Sequence, residues 1–285
     1  MRRRLAILVV VTCGVLGAAA DAVPRRVISL IPATTEMIFA MGAGSRLIAV
    51  GSYDKFPPEA TRLPKVGALL DPDKERILAL RPDLVIVYGT QTELKRSLER
   101  ASIAYYSYEH RAMPDIMTTI RAIGLRIGFG AQANTLAASM ERTLAGVRAT
   151  VAGRERLRTL LVFDRDTSSL QNIYASGGYG FLADLLDVAG GENVFGDIKQ
   201  QAVQASTEMI LARRPEVIIE FRYGDGAKNL DPARDVQAWS ALGSLPAVKA
   251  RRIHVLVGDE FVVPGPRIAV AAERLARVLH PEQFK

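Results

Sequence analysis

The sequence predicts an α/β protein of two similar lobes, each built on a mostly parallel sheet, joined by one long spine helix. Three observations carry this. ERILALRPDLVI at 75–86 returns as EMILARRPEVII at 208–219, each matched position 133 residues later. That interval is too long for a solenoid repeat and suits two lobes of domain size. Short apolar, β-branched runs alternate with helical stretches along the chain, the pattern of largely parallel sheets with helices outside. Between the two copies, residues 131–154 contain no proline, and Leu136, Met140, Leu144, Val147 and Val151 recur as one helical stripe. At 1.5 Å per residue that helix is about 35 Å long, enough to serve as a rigid link. The expected divisions are a leader at 1–22, a first lobe at 23–130, the spine at 131–157 and a second lobe at 158–285.

The leader opens with Arg2, Arg3 and Arg4, continues through an apolar stretch at 5–16 too short for a comfortable membrane span, and ends Ala20-Asp21-Ala22. This predicts export through a cleavable signal, with cleavage near Ala22. The single cysteine, Cys13, lies inside the leader in a poor lipidation context. The mature chain therefore lacks disulfides, thiolate metal sites and cysteine nucleophiles. It must be held by its core, and its length suffices for two lobes.

In the first lobe, 27–31 reads as a strand, followed by the helix TEMIFAMG stopping at Gly42, and 47–51 as the next strand. A loop rich in turn residues covers 51–58. Each repeat copy reads as a short helix with an early Glu, ended by Pro, then a strand covered on both faces. A helix near 91–101, a strand at 103–108 and a helix at 113–128, with Pro114 placed to open it, complete the lobe. The second lobe has a strand at 159–164, a loop at 174–180, the helix FLADLLDVAGG, the second copy, a polar loop at 222–234, a helix at 235–242, a strand at 253–257 and a closing helix at 266–279.

The formal charge of +7 falls to about +5 without the leader, and the basic residues are dispersed. That excludes a nucleic-acid footprint and reads as solvated surface. There is no GxSxG, no HExxH and no histidine pair at metal spacing. The loop SGGYG lacks the Lys of a phosphate loop and reads as a turn with close backbone approach. Asp164 and Asp166 read as solvated strand-end acids. These absences argue against a hydrolase or metal-dependent enzyme, and two α/β lobes with room between them point to a clamp-like binding protein.

Six segments in order, RVISLIPATTEMIFAMG, LPKVG, ERILALRPDLVI, GGENVF, WSALGSLPAVKARRIHVL and PRIAVAAERL, span about residues 25 to 281. Together they resemble the substrate-binding proteins of ABC importers for vitamin B12, haem and ferric siderophores, nearest to the cobalamin-binding branch. The resemblance implies a periplasmic monomer with a cleft between two lobes, little motion on binding, no cofactor of its own and a chelate as transported ligand. It also implies that Glu75 and Glu208, one per lobe, dock onto a two-fold symmetric permease. Because these acids stand on helix starts rather than strand ends, they are expected to lie away from the cleft.

Ligands in open α/β sheets sit beyond the carboxyl ends of the strands. Those ends nominate Pro32, Ala33, Thr34, Tyr53, Tyr88, Tyr174, Arg222, Tyr223 and Phe261 as ligand-binding residues. Rings, a few hydroxyls and one Arg suit a large flat ligand with polar edges. Tyr88 and Tyr174 fall at aromatic positions of the family. By contrast, Leu69, Ala202 and Glu260 stand where large aromatics are expected, and Trp239 lies in a segment that reads as structural. A corrinoid is the first reading, and a different chelate stays open. Haem would need an axial ligand; His110 and His254 read as structural, which leaves Tyr53 or Tyr88. Anionic siderophores call for several cleft arginines, and only Arg222 is so placed.

Overall fold

The computed structural model describes residues 23–109, 112–166, 169–227 and 231–284. The expected leader at 1–22, with Cys13 and the expected cleavage position, lies outside the described residues, as does His110.

The first lobe runs β1 (Val27–Ser29), α1 (Pro32–Ala40), β2 (Leu47–Val50), α2 (Lys74–Ala79), β3 (Leu84–Tyr88), α3 (Thr92–Arg100), β4 (Ala104–Tyr108) and α4 (Met113–Arg126). Its four strands are all parallel, in the order β2-β1-β3-β4. Val85, Ile86 and Val87 are fully buried, as befits a central strand covered on both faces. Helix α1 starts at Pro32, where a missing amide hydrogen removes no helical bond.

Helix α5 (Gly130–Val151) is continuous. Its buried stripe is Ala133, Ala137, Met140, Leu144, Val147 and Val151. The stripe thus starts with two alanines, while Leu136 is only half-buried. The reason is close helix approach: a Cβ added at Gly124 of α4 would run into the Cβ of Ala133. Small side chains at that end let α4 and α5 pack tightly.

The second lobe runs β5 (Arg158–Asp164), β6 (Ile173–Ser176), α6 (Phe181–Val188), β7 (Glu192–Asn193), β8 (Ala202–Ala205), α7 (Thr207–Arg213), β9 (Val217–Arg222), α8 (Pro232–Ala238), α9 (Pro246–Lys249), β10 (Ile253–Val257) and α10 (Ile268–Leu279). Its sheet has the order β10-β9-β5-β6-β8, and β7 also pairs with β5. Strands β10, β9 and β5 are parallel, but β6 is antiparallel to both β5 and β8. The expected loop at 174–180 therefore begins as a strand. Ile173 and Ala175 are buried with Tyr174 exposed between them, a period-two pattern too short to stand out in the sequence.

The repeat extends beyond residue identity. Asp73 caps α2 by accepting from the Arg76 amide, and Ser206, 133 residues on, caps α7 from the Met209 amide. Asp83, ahead of β3, accepts from the amides of Arg25 and Arg26 at the start of β1. Glu216, ahead of β9, accepts from the amide of Arg158 at the start of β5. The Arg26 side chain donates to the carbonyls of Leu80 and Arg81, and Arg158 donates to that of Arg213. In each lobe a cation thus satisfies carbonyls at the end of the short helix, where the dipole favours it.

One continuous apolar core runs from Val27 and Ile86 of the first sheet, through α4, α5, α6 and α10, to Leu161 and Ile219 of the second. A separate core on the outer face of the second sheet holds Trp239, which is fully buried. Trp239 is structural, as its segment suggested. No helix among the described residues is long and apolar enough to cross a membrane.

Candidate functional site: a cleft between the two sheets

A cavity of about 490 Å³ opens between the lobes. From the first lobe, Pro32 and Glu36 of α1 line it, with Tyr53, Lys55 and Phe56 from the turn-rich loop after β2. From the second lobe come Phe163, Asp164 and Arg165 at the end of β5, Arg222, Tyr223 and Gly224 at the end of β9, and Asp259 and Val262 after β10. Both sheets thus present the carboxyl ends of their parallel strands to one space, as parallel α/β topology dictates.

The rings at the cavity are available to a ligand. Tyr53 is 68% exposed, Phe56 42% and Tyr223 37%. Burial raises the Tyr223 hydroxyl above the ordinary phenol range, and Asp164 adds to this. The charged groups are mostly engaged. Arg165 and Arg222 clasp Glu220: Arg165 donates from Nε at 2.6 Å and Arg222 from Nη2 at 2.7 Å. Asp235 accepts from Arg222 Nε at 2.9 Å, and Trp239 donates its indole N–H to Glu220. Two cations and two anions close this buried set without net charge. On the opposite wall Arg267 forms a bidentate pair with Glu36 across the lobes, at 2.9 and 2.6 Å, and lies 4.2 Å over the Phe56 ring. Burial raises the Glu36 carboxyl, against the pull of Arg267.

Beneath the wall loop sits Asp54, 1% exposed, with neither carboxylate oxygen hydrogen-bonded. Burial pushes its carboxyl up to about 7, opposed in part by the nearby Thr35 hydroxyl and Lys65 ammonium. The Lys65 ammonium itself donates to the main-chain oxygens of Asp54 and Ala60, not to the carboxylate. Among the described residues no group of three or more His, Cys, Asp or Glu is placed to hold a metal ion. His254 is half-buried on β10, away from the cavity lining, and burial lowers its imidazole.

Of the sequence-nominated residues, Pro32, Tyr53, Arg222 and Tyr223 meet at the cavity. The others do not line it. Ala33 and Thr34 are buried in α1, where Thr34 bonds Ser29 and the Ile31 carbonyl. Phe261 is fully buried and stacks on Phe221 at 4.5 Å, bracing the wall from inside. Tyr88 packs edge-on against Tyr108 at 5.9 Å, and Tyr174 lies 6.4 Å from Phe163 on the strand next to β5. Arg222 reaches the cavity with its charge already neutralised. The strand-end rule applied to β5 identifies Phe163 and Arg165. Glu36 and Phe56 leave no mark in the sequence, because their role arises from a contact with Arg267, 231 residues from Glu36.

Glu75 and Glu208 are exposed at the starts of α2 and α7. The Ser206 hydroxyl beside Glu208 lowers its carboxyl further. Neither lines the cavity, yet Glu75 borders a shallow depression with Ser52 and Gly67, in the loop region after β2. It therefore sits on the cleft side of its lobe rather than away from it. Helix starts and parallel-strand ends share one side of an α/β layer, which is the physical reason.

Residues 27–259 match the periplasmic binding protein family, and the chain belongs to it. It is 30% identical over 266 residues to a vitamin B12-binding protein of Pectobacterium carotovorum, covering 92% of this chain and 90% of that one. It is 26% identical over 269 residues to an uncharacterized ABC transporter substrate-binding lipoprotein of Bacillus subtilis, over 92% and 82% of the two chains. The crystal structure of the periplasmic vitamin B12 binding protein BtuF of Vibrio cholerae superposes with a TM-score of 0.77 at 25% identity, over 92% and 99% of the chains. The periplasmic heme-binding protein RhuT of Roseiflexus sp. RS-1 has the same fold, with a TM-score of 0.77 at 24% identity over 91% and 99%. The protein is thus an ABC-importer substrate-binding protein of the vitamin B12, haem and siderophore class. It is a binding protein rather than an enzyme, and its ligand is cargo, not a resident cofactor.

Proposed function

We propose that the protein is exported through its signal peptide, with cleavage near Ala22, binds a corrinoid as a monomer, and hands it to a permease dimer through Glu75 and Glu208. The observation that carries the choice of cargo is charge balance. Among the described residues of the lining, three acids, Glu36, Asp164 and Asp259, face three cations, Lys55, Arg165 and Arg222, and the two arginines are neutralised by Glu220 and Asp235. A multiply anionic chelate finds no surplus of cationic charge in such a lining, whereas a neutral macrocycle edged with amides meets rings and hydrogen-bonding partners. The vitamin B12-binding relatives support this reading, while the heme-binding neighbour of equal TM-score supports the second one below.

Haem is the second reading, favoured by one observation: the exposed phenol of Tyr53 at the cavity, an available tyrosinate ligand. The test is co-elution. Purified protein incubated with cyanocobalamin, haemin or a ferric siderophore is passed through gel filtration and the retained chromophore read. Retention of the corrinoid alone, weakened in Tyr53→Ala and Tyr223→Ala, supports the reading. Retention of haemin with a tyrosinate–iron spectrum replaces it.

A further inference from the structure

Beside the main cavity lies a second one of about 250 Å³. Phe163, Tyr223 and Val262 wall both, so the two spaces adjoin across shared side chains. Tyr179, Phe181, Leu182 and Gln201 also line the annexe. Among the described residues no charged side chain lines it. Its volume equals about eight waters at roughly 30 Å³ each, the bulk of a bicyclic aromatic group and far too little for a second macrocycle.

The annexe is held in shape before any ligand arrives. Asn193 donates from its amide to the carbonyls of Ser176 and Gly177, at 3.2 and 2.9 Å. The amides of Gly177, Gly178 and Tyr179 donate to the carbonyls of Gln201, Ile198 and Gln200. A Cβ at Gly177 or Gly178 would run into the carbonyl oxygens of Gln200 or Gly196, so this close seat requires glycine. Tyr179 is therefore presented on a fixed loop. Ala202, also in the lining, is small, and a large side chain there would reduce the space.

We infer that the annexe receives a planar aromatic base carried on a flexible arm of the cargo, and so selects corrinoids that bear such a base over those that lack it. The inference rests on the corrinoid reading above. Rings at Phe163, Tyr179 and Tyr223 offer stacking faces, and Gln201 offers one amide to a ring nitrogen or edge.

The test titrates the protein with cyanocobalamin and with dicyanocobinamide, a corrinoid without nucleotide arm and base. The wild type is expected to bind the complete corrinoid at least about tenfold more tightly. Tyr179→Ala should bring the two within about twofold by weakening only the complete one. Tyr179→Phe should keep the gap, because the ring remains. Tyr53→Ala, at the main cavity, should weaken both alike. Equal affinities in the wild type, or a Tyr179→Ala variant that weakens both corrinoids equally, overturns the annexe while leaving the corrinoid reading intact. Binding of neither corrinoid overturns both.

Discussion

Arg81 and Arg214, 133 residues apart, share one uncommon backbone state, with φ of 46° and 48°. Each follows its short helix and precedes a proline, Pro82 or Pro215. The proline disfavours a right-handed helical conformation at the residue before it, and a left-handed residue turns the chain from helix into strand. The two lobes therefore repeat at the level of backbone geometry. A left-handed residue with a Cβ is strained by roughly 1–2 kcal/mol, more for a β-branched side chain. Arg81→Val and Arg214→Val should each lower stability by about 1–2 kcal/mol, and Gly at either site should be near neutral. Urea denaturation reads this. A large loss at one site with none at the other would show that the copies differ in their strain.

Glu36 and Arg267 tie the lobes together above a core that is continuous from one sheet to the other. Breaking a largely buried bidentate pair by Glu36→Ala should cost about 3 kcal/mol. With this pair and the spine helix in place, the radius of gyration by small-angle scattering should be nearly the same with and without ligand. A marked contraction on binding would contradict a rigid link.

Asp54 predicts a pH dependence. Its carboxyl is raised in the folded state from 3.8 to about 7. A raised carboxyl gives stability that is complete below the unfolded value and is lost as pH rises through the folded one. Between pH 4 and 8 the parent should therefore lose up to roughly 4 kcal/mol relative to Asp54→Asn, which cannot ionise. Parallel stability profiles of the two proteins would refute the assignment.

The paired acids predict a division between binding and transport. Glu75→Lys with Glu208→Lys turns two proposed attractions at the permease into repulsions, and each single change turns one. Corrinoid affinity should stay within about twofold, since neither acid lines the cavity. Uptake by the reconstituted importer should fall sharply, and less in each single variant. Equal loss of ligand binding and uptake would return these acids to the ligand site.

Local and periodic signals made most of this fold legible. The repeat, the spine and the strand-end rule foretold two α/β lobes and brought Pro32, Tyr53, Arg222 and Tyr223 to one cavity. Three kinds of information were missing. The β6 hairpin is too short for its alternation to register. The fate of a strand-end ring depends on the packing around it, so Phe261 is fully buried and Tyr88 packs partly buried against Tyr108, while Phe163 meets the cavity. Charge at a site is a sum over partners that only the fold brings together, so the sequence marks Arg222 as a cleft arginine but not its neutralisation by Glu220 and Asp235.

The neutralised lining distinguishes the two cargoes by charge. Calorimetric titrations of the same preparation with cyanocobalamin and with haemin compare a neutral amide-edged macrocycle with an anionic one. The corrinoid should bind at a single site with a Kd of about 1 µM or tighter, and haemin should bind more weakly by at least about tenfold. Tight haemin binding with no heat from the corrinoid would contradict it.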